Sequence, residues 1–261
     1  MITPADRVVE RILQDRYHDH RSARHSDIIC NHFILDLVKQ CPALANDIES
    51  AKVMYRLNVD VPGLTHKVDL MIYEVNDMDD DPALERARLC MENKSVITAH
   101  GKNRKNRQSD LSDFVNLLQA KKPEAIVLGH VLVGTGIQYV NIPDAVKRKC
   151  QILEIDFERD VLPRLSSGDH KLWAEFGTKP NSDDAASKTI EMMRTLPVKE
   201  KGFTHELGFD FLLIEPIFID NVNPPRVERE NSFGINIDSQ YEDMLSRTCR
   251  AYTSRWHTLA G

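Results

Sequence analysis

No stretch of the 261-residue chain approaches the ~20 consecutive apolar residues that a bilayer-spanning helix needs. Its start, Met1-Ile2-Thr3-Pro4-Ala5-Asp6-Arg7, runs straight into an amphipathic pattern instead of the apolar core of a secretory signal. A cytoplasmic protein without a membrane partner is therefore expected. Cysteine is sparse as well. Cys30, Cys41, Cys90, Cys150 and Cys249 are odd in number, scattered, and contain no C-x-x-C pair, which argues against a zinc module or a disulfide framework and leaves reduced thiols. Internal repeats and low-complexity tracts are missing too, so neither a solenoid nor a biased linker is indicated.

A cationic surplus is also lacking. Lys and Arg number 34 against 40 Asp and Glu, a net charge of -6, so the chain as a whole offers no attractive field to a polyanion. Contacts to anions would have to come from local clusters on one face. What is present is an ordinary globular balance, 41% apolar and 28% charged, in a chain long enough to bury a core.

Hydrophobic periodicity divides the chain into elements. Val8, Val9, Ile12 and Leu13 predict a helix over about 5–17, followed by the basic run Arg16 to His25. A second helix is expected from a cap at Ser26 or Asp27 to a stop at Pro42. Three strands should follow at 52–61, 67–75 and 86–94, the first alternating Val53, Tyr55, Leu57, Val59 and Val61 on one face before a turn at Pro62-Gly63. The acidic loop 76–82 lacks the glycine and distal glutamate of a calcium-binding EF-hand loop. Beyond the third strand, 99–108 is polar and basic, Leu111, Phe114, Val115 and Leu118 predict a helix, and 124–133 has the apolar, β-branched run of a buried strand. The pattern then loosens: 143–165 helical or mixed, 168–184 loop, 185–196 a short helix, 209–219 a strand that Pro216 places at an edge or bulge, 221–231 a charged loop, and a last amphipathic helix carrying Tyr241 to Trp256. The expected division is a core over 1–140 and a C-terminal α+β elaboration over 141–261, packed on the same core and serving dimerisation or target recognition.

Chemistry concentrates on the second and third strands. Glu92 and Lys94 are two apart, so both side chains leave the same face, and Asp69 stands near the start of the neighbouring strand. Two carboxylates on adjacent strands can hold a hard divalent ion, and an ammonium beside them can orient water or neutralise charge at a phosphate. A structural ion pair is the plainer alternative. A second acid-x-lysine, Asp169-His170-Lys171, follows Ser166-Ser167-Gly168 without a preceding strand pair and is read as a decoy.

In Val68-Asp69 and Glu92-Asn93-Lys94, and in the order helix, three strands, helix, strand over about 25–135, the chain resembles the PD-(D/E)XK nuclease superfamily, with Val68 where the name has proline. The resemblance implies a restriction-endonuclease-like α/β core with a mixed sheet between helices. It also implies magnesium dependence, with manganese able to substitute. Asp69, Glu92 and the main-chain carbonyl of Asn93 would then be metal ligands and Lys94 the catalytic lysine, with Asp27 a candidate for the further acid that many members take from the helix before the sheet. The function it implies is a DNA endonuclease of the restriction or phage-defence kind, acting on duplex DNA as a homodimer. A repair, structure-selective or RNA nuclease, or a non-catalytic nucleic-acid-binding subunit, remains open beside it.

The second constellation follows the motif directly. Lys102, Asn103, Arg104, Lys105 and Arg107 interleave cations with amides, the mixture that contacts phosphates and base edges, although a solvated loop is what most charge runs turn out to be. Arg16, Arg21 and Arg24 make a weaker cluster. The nearby His18, His20 and His25 have no acid or cysteine spaced to complete a metal site.

Overall fold

The computed structural model describes every residue except 16, 19–23, 65–66, 77–80, 200–206, 230–232 and 258–261. The amphipathic start forms α1 (Pro4–Asp15), with Val8, Val9 and Ile12 turned inward. It is followed by α2 (Arg24–Gln40), whose buried side is Ile29, Cys30, Phe33, Ile34 and Leu37. Because α2 begins at Arg24, Ser26 and Asp27 lie in its first turn instead of capping it. Pro42 does end α2, but the same residue opens α3 (Pro42–Glu49), at the one helical position where a missing N–H costs nothing.

Three antiparallel strands come next, β1 (Val53–Val59), β2 (Val68–Glu74) and β3 (Ala87–Val96). The single-face stripe expected along β1 is broken. Val53 packs in one core layer, Val59 and Val61 in the other, and Tyr55 is 41% exposed. The interruption sits at Asn58, whose φ of 54° is left-handed, a conformation asparagine tolerates better than most side chains. After β3, which runs two residues past Lys94, the chain enters α4 (His100–Lys121) and returns along β4 (Ile126–Gly134), parallel to β3.

The basic stretch 100–108 is therefore the first turns of a helix, not a loop. Nothing in it breaks a helix except Gly101, and Lys, Arg and Gln are good helix formers. Next come α5 (Asp144–Ile152), a π-helical turn at Phe157–Val161, α6 (Leu162–Ser166), α7 (His170–Phe176) and α8 (Ala185–Arg194). The span 168–184 is thus not all loop, since α7 lies within it.

β5 (Phe211–Phe218) pairs in parallel with β4, and β6 (Arg226–Val227) pairs with the end of β5 inside the segment expected to be a charged loop. Pro216 is tolerated because its carbonyl accepts from Glu228 on the β6 side, while the flanking Ile217 carbonyl serves the β4 side through Thr135. α9 (Ile237–Trp256) ends the described fold.

Among the described residues the sheet has the order β1-β2-β3-β4-β5-β6, antiparallel at its two ends and parallel from β3 to β5. The protein is an α/β fold with a mixed, open sheet between two helical layers. One layer is α1, α2, α3 and α9, packed through Phe33, Leu37, Leu70, Leu128 and Tyr252; the other is α4 and α8, packed through Phe114, Leu118, Met71, Val131 and Ile190. β4 is buried along its whole length, which is why its sequence is a continuous apolar run without alternation. Each fully buried phenylalanine here contributes about 2–3 kcal/mol of transfer free energy. A smaller cluster of Tyr17, Val140, Ile142 and Leu165 seats α5 to α7 against the end of the sheet where β4 leaves it. Among the described residues no helix is long and apolar enough to cross a membrane.

Candidate active site

The ladder between β2 and β3 runs from Tyr73 opposite Ala87 to Leu70 opposite Met91 and ends there. Asp69 and Glu92 are the next residues on each side, so both carboxylates stand at the point where the strands part. With no cross-strand carbonyl to meet it, the amide of Asn93 donates instead to Asp69 Oδ2 at 2.6 Å. The sequence places Glu92 and Lys94 on one face, and Lys94 Nζ donates to Glu92 Oε1. This is a buried ion pair, with side chains 1% exposed for Glu92 and 11% for Lys94.

The electrostatics follow from two acids sharing one ammonium. Burial and, after it, the charge of Glu92 push the Asp69 carboxyl up to about 6, against smaller downward pulls from the Asn93 amide, the Ser26 hydroxyl and Lys94. A site with net charge -1 and a carboxylate that ionises reluctantly has room for another cation. Hard oxygen donors suit magnesium or manganese. Among the described residues no group of three or more His, Cys, Asp or Glu side chains is arranged to hold a metal ion. An ion here would rest on Asp69, Glu92, a main-chain carbonyl such as that of Asn93, and water.

Asp27, the candidate further acid, is engaged elsewhere. Its Oδ1 accepts from Asn58 Nδ2 at 2.7 Å. The residue of α2 that reaches the site is Ser26, which accepts from Asn93 Nδ2 at 3.1 Å. Nothing in the sequence distinguishes Ser26 from an ordinary residue near a helix start.

The basic constellation is split by its helix. His100 is buried, with Nδ1 2.8 Å from Thr189 Oγ1, and Gln108 donates to the Met192 carbonyl and to Thr195, so this face of α4 packs on α8 and the residues just beyond it. Arg104 is half-buried with its Nε out of water, Asn103 turns back to the Thr98 carbonyl at 2.6 Å, and Arg107 pairs with Asp110 at 2.9 Å. Lys102 and Lys105 are exposed. Arg24 is exposed at the first position of α2, two residues before Ser26, whereas Arg16 and Arg21 lie outside the described residues. The decoy pair is placed on a helix, not in a loop: Asp169 caps α7 by accepting from the amides of Lys171 and Leu172, and it pairs with Arg164.

Two further buried polar groups escaped the sequence reading because each sits inside an apolar strand. His130 on β4 and Glu215 on β5 are fully buried with Nε2 and Oε2 2.7 Å apart, and the same Glu215 oxygen accepts from the Ala5 amide at 3.0 Å. A surface groove of about 760 Å³ along α1 and α2, lined by Ile2, His32, Leu35 and Leu245 among others, contains none of Asp69, Glu92 and Lys94. Comparison of the chain with protein-family models, with curated proteins and with solved structures finds no match in any of the three.

Proposed function

We propose that the chain is a magnesium-dependent nuclease of the PD-(D/E)XK kind that hydrolyses phosphodiester bonds in DNA, as a restriction or phage-defence endonuclease would. The observation that carries this reading is the convergence of Asp69, Glu92 and Lys94 at the parting of β2 and β3. The order α2, α3, β1, β2, β3, α4, β4 in a mixed sheet supports it as a restriction-endonuclease-like core.

In this reading Asp69, Glu92 and the Asn93 main-chain carbonyl hold the metal ion, magnesium or in its place manganese. When bound, such an ion lowers the pKa of a coordinated water and offsets charge on the phosphate. The protein's own groups do the rest. Asp69 Oδ2 is held by the Asn93 amide, which fixes the carboxylate where the two strands part. The Lys94 ammonium, held beside Glu92, is placed to orient the attacking water and to neutralise charge developing on the phosphate oxygens. Lys102 and Lys105 at the start of α4, with Arg24 at the start of α2, supply cations to the DNA backbone. Cutting both strands at a symmetric site is most simply done by two copies related by a two-fold axis, so the acting species is a homodimer.

The test is incubation of the purified protein with plasmid, linear duplex, single-stranded DNA and RNA, with magnesium and with a chelator. Discrete duplex fragments that appear only with magnesium are the expected result. Cutting confined to distorted DNA or to RNA would move the chain to another nuclease class, and binding without cutting would make it a nucleic-acid-binding subunit.

A further inference from the structure

Asn93, the residue between the acid and the lysine, turns its side chain to the opposite face of β3, towards α2. There its Nδ2 donates to Ser26 Oγ and to Cys30 Sγ, each at 3.1 Å. The main-chain N–H of the same residue donates to Asp69 Oδ2 at 2.6 Å. Asn93 thus bridges two elements, its main-chain amide on Asp69 of β2 and its side chain on Ser26 and Cys30 of α2.

We propose that Ser26 and Asn93 are the positioning residues of the metal site, a clasp by which the first turn of α2 holds residue 93 of β3 and, through its main-chain amide, the Asp69 carboxylate. The proposal rests on the nuclease reading above. Asp69 lies beyond the end of the β2–β3 ladder, so no strand pairing with β3 fixes its distance from Glu92. The bridge through Asn93 supplies that constraint. Residue 93 is tethered at its amide and at its side chain, so the carbonyl that would serve the ion cannot turn away without breaking two hydrogen bonds. α2 is a firm anchor for the clasp, because Ile29, Cys30 and Phe33, directly after Ser26, are in the core. Outer partners of this type govern metal affinity by orienting the ligands, and losing one typically costs 10- to 100-fold.

The experiment is titration calorimetry with magnesium alone and, in parallel, with manganese, on the full chain and its Ser26→Ala, Asn93→Ala, Ser26→Thr and Asp69→Ala variants, with a melting temperature for each. Binding by the wild type, a loss of about tenfold or more in Ser26→Ala and Asn93→Ala, and recovery in Ser26→Thr is the expected result. Melting temperatures should stay within about 2–4 °C of the wild type. Ser26→Ala binding as tightly as wild type while Asp69→Ala does not bind would overturn the clasp and leave the nuclease reading standing. A loss of affinity that tracks a fall in melting temperature and is not recovered by threonine would also overturn it, since Ser26 would then only support the fold. No metal binding by the wild type would remove both readings.

Discussion

Replacing Asp69 by asparagine tests the electrostatics of the site without requiring turnover. Asparagine keeps the shape and one acceptor oxygen for the Asn93 amide while removing the charge that burial and Glu92 oppose. The carboxyl is pushed up from its ordinary 3.8 to about 6, so the folded state holds this proton more tightly than the unfolded chain does. The sign follows from linkage. The stability that neutral Asp69 confers is fully present below about pH 4, declines as the unfolded chain ionises first, and is gone once pH has risen through about 6. At about 1.4 kcal/mol per pH unit, the gap of roughly two units is worth about 3 kcal/mol. The assay is urea denaturation of the metal-free protein and of Asp69→Asn from pH 4 to 8. Other titrating groups are common to both chains and cancel in the difference. The variant should match the wild type near pH 4 and exceed it by up to about 3 kcal/mol at pH 8. A stability difference that does not change with pH, or a variant less stable than wild type at pH 8, would refute the reasoning.

Lys94→Met leaves Glu92 buried without its cation and should destabilise the metal-free protein by about 3 kcal/mol, with much of the loss restored in the Lys94→Met, Glu92→Gln double variant; equal losses in single and double variants would show that the pair is not coupled. In cleavage assays Asp69→Ala and Glu92→Ala should be inactive and Lys94→Ala slower by ~10² or more, and full activity in any of them would remove the site. Lys102→Ala with Lys105→Ala should flatten the salt dependence of DNA binding by about one unit of slope per lost contact, an unchanged slope assigning both to bare solvent. Asp169→Ala should lower the melting temperature slightly through its lost helix cap yet cut normally, and loss of cutting there would make the second acid-x-lysine the site.

How far these elements could be read in advance depended on where each buried its apolar side. β2, β3 and β4 announce themselves through runs such as Leu70 to Tyr73 and Ile126 to Leu128, and the spacing of Glu92 and Lys94 along a strand is enough to put them on one face. The start of α4 was illegible for a physical reason. His100, Arg104 and Gln108 are spaced by four on a helical face, and it meets its neighbours through hydrogen bonds to Thr189, Met192 and Thr195, so no hydrophobic period marks it. Asn58 gives no warning that its backbone will turn left-handed. Ser26 was hidden because its partner, Asn93, is brought to it only by the fold. Pairwise chemistry across such distances leaves no local trace.

The anchoring of α1 has a consequence for how the chain is made. The Ala5 amide meets Glu215 across 210 positions, and Arg229 grips Asp6 across 223. During synthesis at roughly 5–20 residues per second, α1 would leave the ribosome some ten to forty seconds before β5 exists to receive it. For that interval α1 has α2 to pack on but neither β5 nor β6, while the meander of β1 to β3, built from nearer neighbours, can already form. The nascent chain should therefore present one side of α1 to chaperones until β5 and β6 arrive.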